Sequence, residues 1–160
     1  MAILNHAVRH YGLKSNPASK VGYIGSKEAE EMQFWTKEEY QRFAEAIMDK
    51  PMSYYAFEML YWCGIREGEL LALTPADFDF EKKTLRINKS YQRLQGKDVI
   101  TTPKTKKSNR VIQMPDFLCD EMQDYFKQLY GLESDSRIFP LSKYALKRGM
   151  AFGCKAAGVK

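Results

Sequence analysis

The feature that most constrains this fold is a dense apolar run from Tyr54 to Cys63. Drawn as a helix, the run is apolar on nearly every side. A helix of that kind has to be covered on all of its faces, so it belongs in the interior of a domain. Gly64 follows at once and can take the left-handed backbone of a C-terminal helix cap. We therefore predict a central core helix with the other elements packed around it.

Four further segments carry helical patterns in the same part of the chain. Thr36 and Glu39 form a T-x-x-E capping box ahead of apolar residues at helical spacing. A short helix is predicted over 67–73, a second long helix over about 116–130 and a third over about 143–157. The domain is therefore expected to be mainly helical.

Between these helices the apolar period changes from that of a helix to that of a strand. Leu85 and Ile87 alternate with polar neighbours, as on a half-buried strand. Short apolar pairs at 99–100 and 111–112 indicate two more strands, and the polar segment 103–109 is predicted to be the turn between them. The predicted fold class is α+β, mainly helical, with a small three-stranded antiparallel sheet.

The first part of the chain has a different pattern. Apolar residues at helical spacing occupy residues 1–14, and Gly12 is expected to end that helix. The following segment is polar, and Asn16-Pro17 and two glycines interrupt any periodicity, which is typical of a linker. We predict that residues 1–14 belong to a separate domain, that 15–33 form a linker, and that 34–160 form the main domain.

The positive charge is concentrated in two segments of a chain whose net charge is +5. Residues 82–110 contain ten basic side chains and one acidic one, Asp98, and residues 142–160 contain five basic side chains and no acidic one. The remainder is acidic. A phosphate backbone is the natural partner of such segments, whereas a solvated lysine-rich face is the alternative.

Several classes of protein are disfavoured by the sequence. No apolar run approaches the ~20 residues of a membrane span, and the first residues lack the pattern of a signal peptide. The cysteines Cys63, Cys119 and Cys154 lie far apart, so neither a disulfide framework nor a metal cluster is expected, and a reducing cytoplasm is the predicted compartment.

Histidine chemistry is also limited. His6 and His10 are four positions apart and could in principle hold zinc, but no third ligand is nearby. Neither histidine lies in the main domain, which excludes Ser-His or Cys-His catalysis within the main-domain part of these 160 residues. No metal site and no cofactor are predicted.

Arg66 is an always-charged side chain placed directly after the core helix. Its planar guanidinium is suited to two phosphate oxygens. Glu69 lies three residues on, on the same helical face, and can hold the guanidinium in one orientation. The alternative is a surface ion pair of little energetic consequence.

The basic segment contains further candidate contacts to nucleic acid. Lys104 stands at the start of the predicted turn, from which its ammonium group could bind a phosphate or donate a proton to a departing oxygen. The other candidates are expected to make nonspecific phosphate contacts. They are Lys89, Arg93, Lys106, Lys107 and Arg110.

Three stretches together resemble the tyrosine recombinase family, the integrases of phages and conjugative transposons. They are GIREGELLALTPADFDFEKKTLRI (Gly64–Ile87), TPKTKKSNRVIQMP (Thr102–Pro115) and ALKRGMAFGCKAAGV (Ala145–Val159). The G-x-R-x-x-E pattern followed by L-x-x-x-D-F-D is fairly specific when a P-K-T hairpin follows it. The resemblance extends from about residue 34 to the end of the sequence.

The resemblance implies roles for three residues. Arg66 matches the arginine that grips the scissile phosphate, Glu69 the acidic residue that steadies the site, and Lys104 the lysine that protonates the leaving 5′ oxygen. In the family a tyrosine attacks the phosphate and forms a 3′-phosphotyrosyl link, with neither ATP nor metal. The implied partner is double-stranded DNA, on which the whole protein assembles as a tetramer.

The rest of the family pattern is missing from the 160 residues. An H-x-x-R motif, a later histidine or tryptophan and the tyrosine nucleophile should follow in that order. The only H-x-x-R, at 6–9, precedes Arg66, and Tyr144 falls before the place where the motif is expected. We therefore expect a truncated catalytic domain, with 1–14 as the tail of a core-binding domain, that is monomeric and inactive by itself.

Two other functions stay open from the sequence. One is a nonenzymatic DNA-binding regulator that uses the basic hairpin as a phosphate clamp. The other is a protein-interaction module whose lysines only keep it in solution. The salt dependence of DNA binding separates the interaction module from the other two, because neutralising phosphates makes log K fall with log salt.

Overall fold

The computed structural model describes residues 2–21, 34–102 and 108–159. Lys104, Lys106 and Lys107 therefore lie outside the described residues, as does most of the predicted turn. The chain divides into two compact units, residues 1–34 and residues 35–160. No helix within the described ranges is both long enough and apolar enough to cross a lipid bilayer.

The described residues of the first unit form one α-helix and one 3-10 turn. Helix α1 spans Ala2–His10, and Gly12 follows it with a φ of +69°. The 3-10 turn Pro17–Lys20 is capped by the Asn16 side chain, whose Oδ1 accepts the Ala18 N–H at 2.9 Å. None of the α1 side chains is buried. The assignment of this unit to a core-binding domain stays a prediction.

The second unit contains five α-helices among its described residues, and the fold class predicted from the sequence is confirmed. The helices are α2 (Lys37–Ala46), α3 (Pro51–Cys63), α4 (Glu67–Leu70), α5 (Asp116–Gln128) and α6 (Lys143–Ala157).

Helix α3 is the core helix that the apolar run predicts. It begins at Pro51, three residues before the predicted start, because proline is well suited to the first turn of a helix. Gly64 ends it with the expected left-handed backbone, at a φ of +58°. Ala56, Phe57 and Met59 are buried in the core that it shares with α2 and α5.

Helices α2 and α6 pack against each other through Gly153. A Cβ at Gly153 would overlap the Phe43 ring and stand 2.8 Å from Ile47 Cγ2. Glycine is therefore needed here for the close approach of two helices. The predicted capping box of α2 is present, since the Glu39 N–H donates to Thr36 Oγ1 and the Thr36 N–H donates to Glu39 Oε2.

The strands in residues 34–102 and 108–159 form two antiparallel sheets. They are β1 (Phe78–Asp79), β2 (Thr84–Ile87), β3 (Ser90–Leu94), β4 (Lys97–Thr101) and β5 (Arg110–Gln113). The first sheet has the order β1-β2-β5, and β3 pairs with β4 in a separate hairpin.

This arrangement corrects the predicted sheet. A three-stranded sheet does exist, but the strand at 99–100 is not part of it and β1 takes its place. Strand β3 was not predicted, because its residues 90–94 are mostly polar and only Tyr91 is buried. The tight turn at Gln95-Gly96, with both residues at positive φ, joins β3 to β4.

The short helix α4 lies against β3. A Cβ at Gly68 would stand 3.1 Å from the Tyr91 carbonyl oxygen and closer still to Ser90 Oγ. This close approach fixes α4, and with it the loop before it, relative to the β-structure. Strand β5 begins at Arg110, which is paired with Ile87 of β2. Residues 66–69 and Arg110 are thereby brought together.

Candidate functional site

The candidate site is built around the carboxylate of Glu69. The Arg66 backbone N–H donates to Glu69 Oε2 at 2.9 Å, so this side chain caps the start of α4. Arg66 Nη1 donates to Glu69 Oε1 at 3.3 Å. Glu69 is only 7% exposed as a side chain, whereas Arg66 is 78% exposed. The predicted Arg66–Glu69 contact is therefore present, with the acid inside and the guanidinium outside.

A second arginine holds the same carboxylate more tightly. Arg110 Nη1 donates to Glu69 Oε1 at 2.9 Å, and Arg110 Nη2 donates to Oε2 at 2.7 Å. This bidentate geometry is the strongest form of a charge-assisted pair. The Arg110 hydrogen bonds and charge lower the pKa of Glu69, despite its burial, and the Arg66 N–H and guanidinium act in the same direction.

The arrangement leaves one positive charge in excess. Two guanidinium groups share one carboxylate, and the closer and less exposed of the two is Arg110. Glu69 is therefore neutralised mainly by Arg110. Within the described part of the chain, Arg66 uses one of its five N–H donors on a side chain. The Arg66 guanidinium is held in place and can still bind an oxyanion from solvent.

A second buried carboxylate lies at the start of the β-structure. Asp77 is fully buried as a side chain, and its Oδ2 accepts the Thr74 N–H and hydroxyl, each at 2.9 Å. The Lys89 ammonium lies 2.7 Å from the same oxygen and donates to Thr74 Oγ1. Arg86 Nη2 lies 4.0 Å from Asp77 Oδ1. Lys89, predicted as a DNA contact, is thus engaged with a buried acid.

The β3–β4 hairpin is held by a third acid, Asp98. The Tyr91 hydroxyl donates to Asp98 Oδ1 at 2.8 Å, and Arg137 Nη2 donates to Oδ2 at 3.3 Å. The Arg137 guanidinium also lies over the Tyr91 ring, 4.3 Å from its centroid. Arg93, another predicted DNA contact, is exposed on this hairpin with its Nε 3.8 Å from Asp98.

The structure brings together some of the predicted site residues. Arg66, Glu69 and Arg110 form one cluster, while Lys89 and Arg93 belong to the separate carboxylate networks of Asp77 and Asp98. The catalytic and DNA-binding roles stay predictions. Sequence reasoning missed the partnership of Arg110 with Glu69, because the two residues are 41 positions apart and no local pattern links them.

The fold and site define an α+β, mainly helical domain in which an exposed arginine, held by a buried carboxylate, follows the core helix. The model of the phage integrase family matches residues 33–149. The chain therefore belongs to the phage integrase family, as the resemblance predicted.

Curated relatives agree with this assignment. The ICEBs1 integrase of Bacillus subtilis (strain 168) is 34% identical over 113 residues, which are 70% of this chain and 30% of that protein. A tyrosine recombinase XerC-like protein of Caldanaerobacter subterraneus subsp. tengcongensis is 29% identical over 135 residues, 76% of this chain and 34% of that protein. The chain thus spans about a third of the length of these relatives.

Solved structures share the fold. The Tn1549 transposon integrase (aa 82-397, Y379F), in complex with transposon right end DNA, matches with a TM-score of 0.67 and 22% identity. The match covers 90% of this chain and 49% of that one. XerA recombinase matches with a TM-score of 0.58 and 17% identity, over 79% of this chain and 44% of that one.

Proposed function

We propose that residues 34–160 are the N-terminal part of the catalytic domain of a tyrosine-type site-specific DNA recombinase. The whole protein would cleave and rejoin DNA through a 3′-phosphotyrosyl intermediate during integration and recombination of a mobile element. The observation that carries the proposal is the Arg66 guanidinium, which is exposed, oriented by a buried carboxylate, and not neutralised by it because Arg110 takes up that charge.

The chemistry follows from the charge at this position. In strand cleavage a tyrosine oxygen forms a bond to the scissile phosphorus while the bond from phosphorus to the 5′ oxygen breaks. The pentacoordinate transition state carries more charge on its nonbridging oxygens than the phosphodiester does. A preorganised guanidinium stabilises that charge without having to reorient, which is the main source of rate enhancement in such sites.

In this proposal the roles of Lys104 and Glu69 rest on the family pattern, and the remaining contacts rest on the basic segment. Lys104 would give its proton to the departing 5′ oxygen. Glu69 would position Arg66 rather than touch DNA. Lys89, Arg93, Lys106, Lys107 and Arg110 are the proposed backbone contacts, although the ion pairs of Lys89 and Arg110 leave them less charge to offer.

The proposal extends to partners, domains and compartment. Double-stranded DNA is the proposed partner, and the Tn1549 integrase structures contain DNA. Residues 1–14 would be the tail of a core-binding domain and 15–33 the linker. The whole protein would form a tetramer on DNA in the cytoplasm, while these 160 residues would be monomeric.

The first test measures how much Arg66 contributes to DNA binding. Fluorescence anisotropy of a labelled duplex would compare the wild-type chain with Arg66→Ala and Arg66→Lys across a series of salt concentrations. We expect Arg66→Ala to weaken binding about tenfold and to lower the slope of log K against log salt by about 0.9. Arg66→Lys should keep the slope because it keeps the charge. Equal affinity and slope for wild type and Arg66→Ala would contradict the proposal.

A nicked suicide DNA substrate tests the reaction itself. We expect no covalent adduct from the 160 residues. Their only H-x-x-R, at 6–9, precedes Arg66, whereas the family motif and the tyrosine nucleophile should follow it. A longer polypeptide that supplies the later motifs should form an adduct, and Arg66→Ala in it should form none. A longer polypeptide that binds DNA but never forms the adduct would favour the nonenzymatic regulator.

A further inference from the structure

A cavity of about 210 Å³ opens between α2, α3 and the start of α5, away from the cluster around Glu69. Its walls are aromatic and its floor is acidic. The residues that matter here are Tyr40, Tyr54, Trp62 and Phe117 on the walls, Glu58 on the floor and Met48 at the rim.

The floor is a carboxylate with unused acceptor capacity. Glu58 is 4% exposed. Its Oε1 accepts the Tyr40 hydroxyl at 2.6 Å, and its Oε2 accepts the Trp62 indole N–H at 2.8 Å. An ionised carboxylate offers about four acceptor positions, of which these neutral donors occupy two. Both donors hold the carboxylate still without neutralising its charge.

A second acidic side chain lies next to the cavity wall. The Tyr54 hydroxyl donates to Glu121 Oε1 at 3.4 Å, and Glu121 Oε2 is buried without a hydrogen-bond partner. Burial and the charge of Glu58 raise the pKa of Glu121. Across residues 34–102 and 108–159, none of the ion pairs involves Glu58 or Glu121, although many other acids of this basic chain are paired.

The walls are suited to a cation. Trp62 and Phe117 meet edge to face with ring centroids 5.0 Å apart, and the Tyr40 ring stands edge-on to Trp62 at 6.4 Å. Phe117 is 43% exposed and Met48 is 60% exposed at the opening. Aromatic faces beside a carboxylate attract a cation through the ring quadrupole and through charge, and arginine is used in this way more often than lysine.

We propose that this cavity binds an arginine side chain presented by a protein partner. The guanidinium would enter past Met48 and Phe117 and donate to the open acceptor positions of Glu58, with its plane against the aromatic walls. Charge complementarity selects this occupant, because the carboxylates of Glu58 and Glu45, which both line the cavity, repel a phosphate and therefore exclude DNA. The proposal assigns a protein-binding site and does not depend on the proposed recombinase chemistry.

The test uses N-butylguanidinium as the probe and N-butylurea as its uncharged isostere. The indole N–H signal of Trp62 reports on the floor, because it donates directly to Glu58, and Trp35 supplies an internal control. Titration followed by ¹H–¹⁵N NMR should shift the Trp62 signal saturably with N-butylguanidinium alone. We expect Glu58→Gln to weaken that binding at least tenfold.

A second variant keeps the test valid if Glu58→Gln does not fold. Met48→Lys places a tethered cation at the exposed rim without touching the floor, and Met48→Gln is its matched uncharged control. We expect Met48→Lys to weaken N-butylguanidinium binding severalfold and Met48→Gln to leave it unchanged. Equal shifts with N-butylurea, no saturable shift, or unchanged binding in Met48→Lys would overturn the proposal.

A short peptide identifies the source of the cation. A five-residue peptide with one central arginine and uncharged ends should bind at least as tightly as N-butylguanidinium and produce the same Trp62 shift. Exclusion of the peptide while N-butylguanidinium still binds would overturn the assignment to a protein partner, and would indicate a site for small free cations.

Discussion

The two basic segments of this protein look alike in the sequence but differ in the structure. In residues 82–110, six of the basic side chains described lie within 4.0 Å of a carboxylate. Within the described part of the chain, Lys143 is the only cation of α6 with such a partner, and it lies 3.6 Å from Glu67. Lys147, Arg148 and Lys155 of the same helix are exposed and have no ion pair among the described residues.

The comparison shows that the net charge of a segment does not indicate how much charge it can offer to a binding partner. The acids that neutralise residues 82–110 come mostly from outside that segment, as Asp77 and Glu69 do for Lys89 and Arg110. A carboxylate within hydrogen-bond distance reduces the counterions that a cation can exchange for a phosphate. Helix α6 therefore has fewer basic side chains than residues 82–110, but more of its positive charge is accessible to a phosphate.

The largest effect is expected from replacing Lys89, the cation of a buried pair. Lys89→Met should leave Asp77 without its ammonium partner and lower the free energy of unfolding by about 3 kcal/mol. The matched variant Lys147→Met, in α6, should change it by no more than about 0.5 kcal/mol. Urea denaturation at pH 7 measures both. Similar losses of unfolding free energy for the two variants would show that the cations of the two segments are not neutralised to different extents.

A smaller effect should appear in the pH dependence of stability. Glu69 has a pKa below its ordinary value of 4.5 in the folded protein, with the Arg110 hydrogen bonds as the first cause. Its stabilising contribution is therefore complete above about pH 4.5 and is lost as the pH falls through the folded pKa. Glu69→Gln should be less stable than wild type at pH 7, and the difference should shrink towards pH 3.

Urea denaturation between pH 3 and pH 7 gives this comparison. Arg110→Met should remove most of the same pH-dependent component, because it removes the main cause of the pKa shift. Arg66→Met is the control. Arg66 is the weaker and more exposed partner of Glu69, so its loss should remove less of the pH-dependent component of stability. A wild-type curve parallel to that of Glu69→Gln would contradict the assigned charge state.

The smallest effect concerns DNA binding by the two segments. Replacing Lys147 and Arg148 together by alanine should lower the slope of log K against log salt by up to about 1.8, from about 0.9 for each phosphate contact. The double replacement of Arg86 and Arg93, both near carboxylates, should lower it by less. Fluorescence anisotropy of a labelled duplex measures the slopes, and the opposite order would show that these ion pairs open when DNA binds.

Local sequence patterns predicted the helices well. The capping box at Thr36 and Glu39, the left-handed cap at Gly64 and the bounds of α6 depend on neighbouring residues, and all three are confirmed. Strand β3 was missed because a mostly polar strand has little alternation to detect. The register that pairs β5 with β2 was also missed, since pairing between distant strands is decided by packing rather than by local pattern.

By itself the sequence determined a buried helix, its C-terminal glycine cap and an arginine placed directly after it, because each of these depends on residues within a few positions. Only the tertiary structure decided which cations stay available. Glu69 meets Arg110 across 41 positions, and Asp77 meets Lys89, through strand pairing and the packing of α4 on β3. Composition sets how many charged side chains there are, whereas the distances between them decide which cations are neutralised. The fold sets those distances for residues that are remote in the sequence.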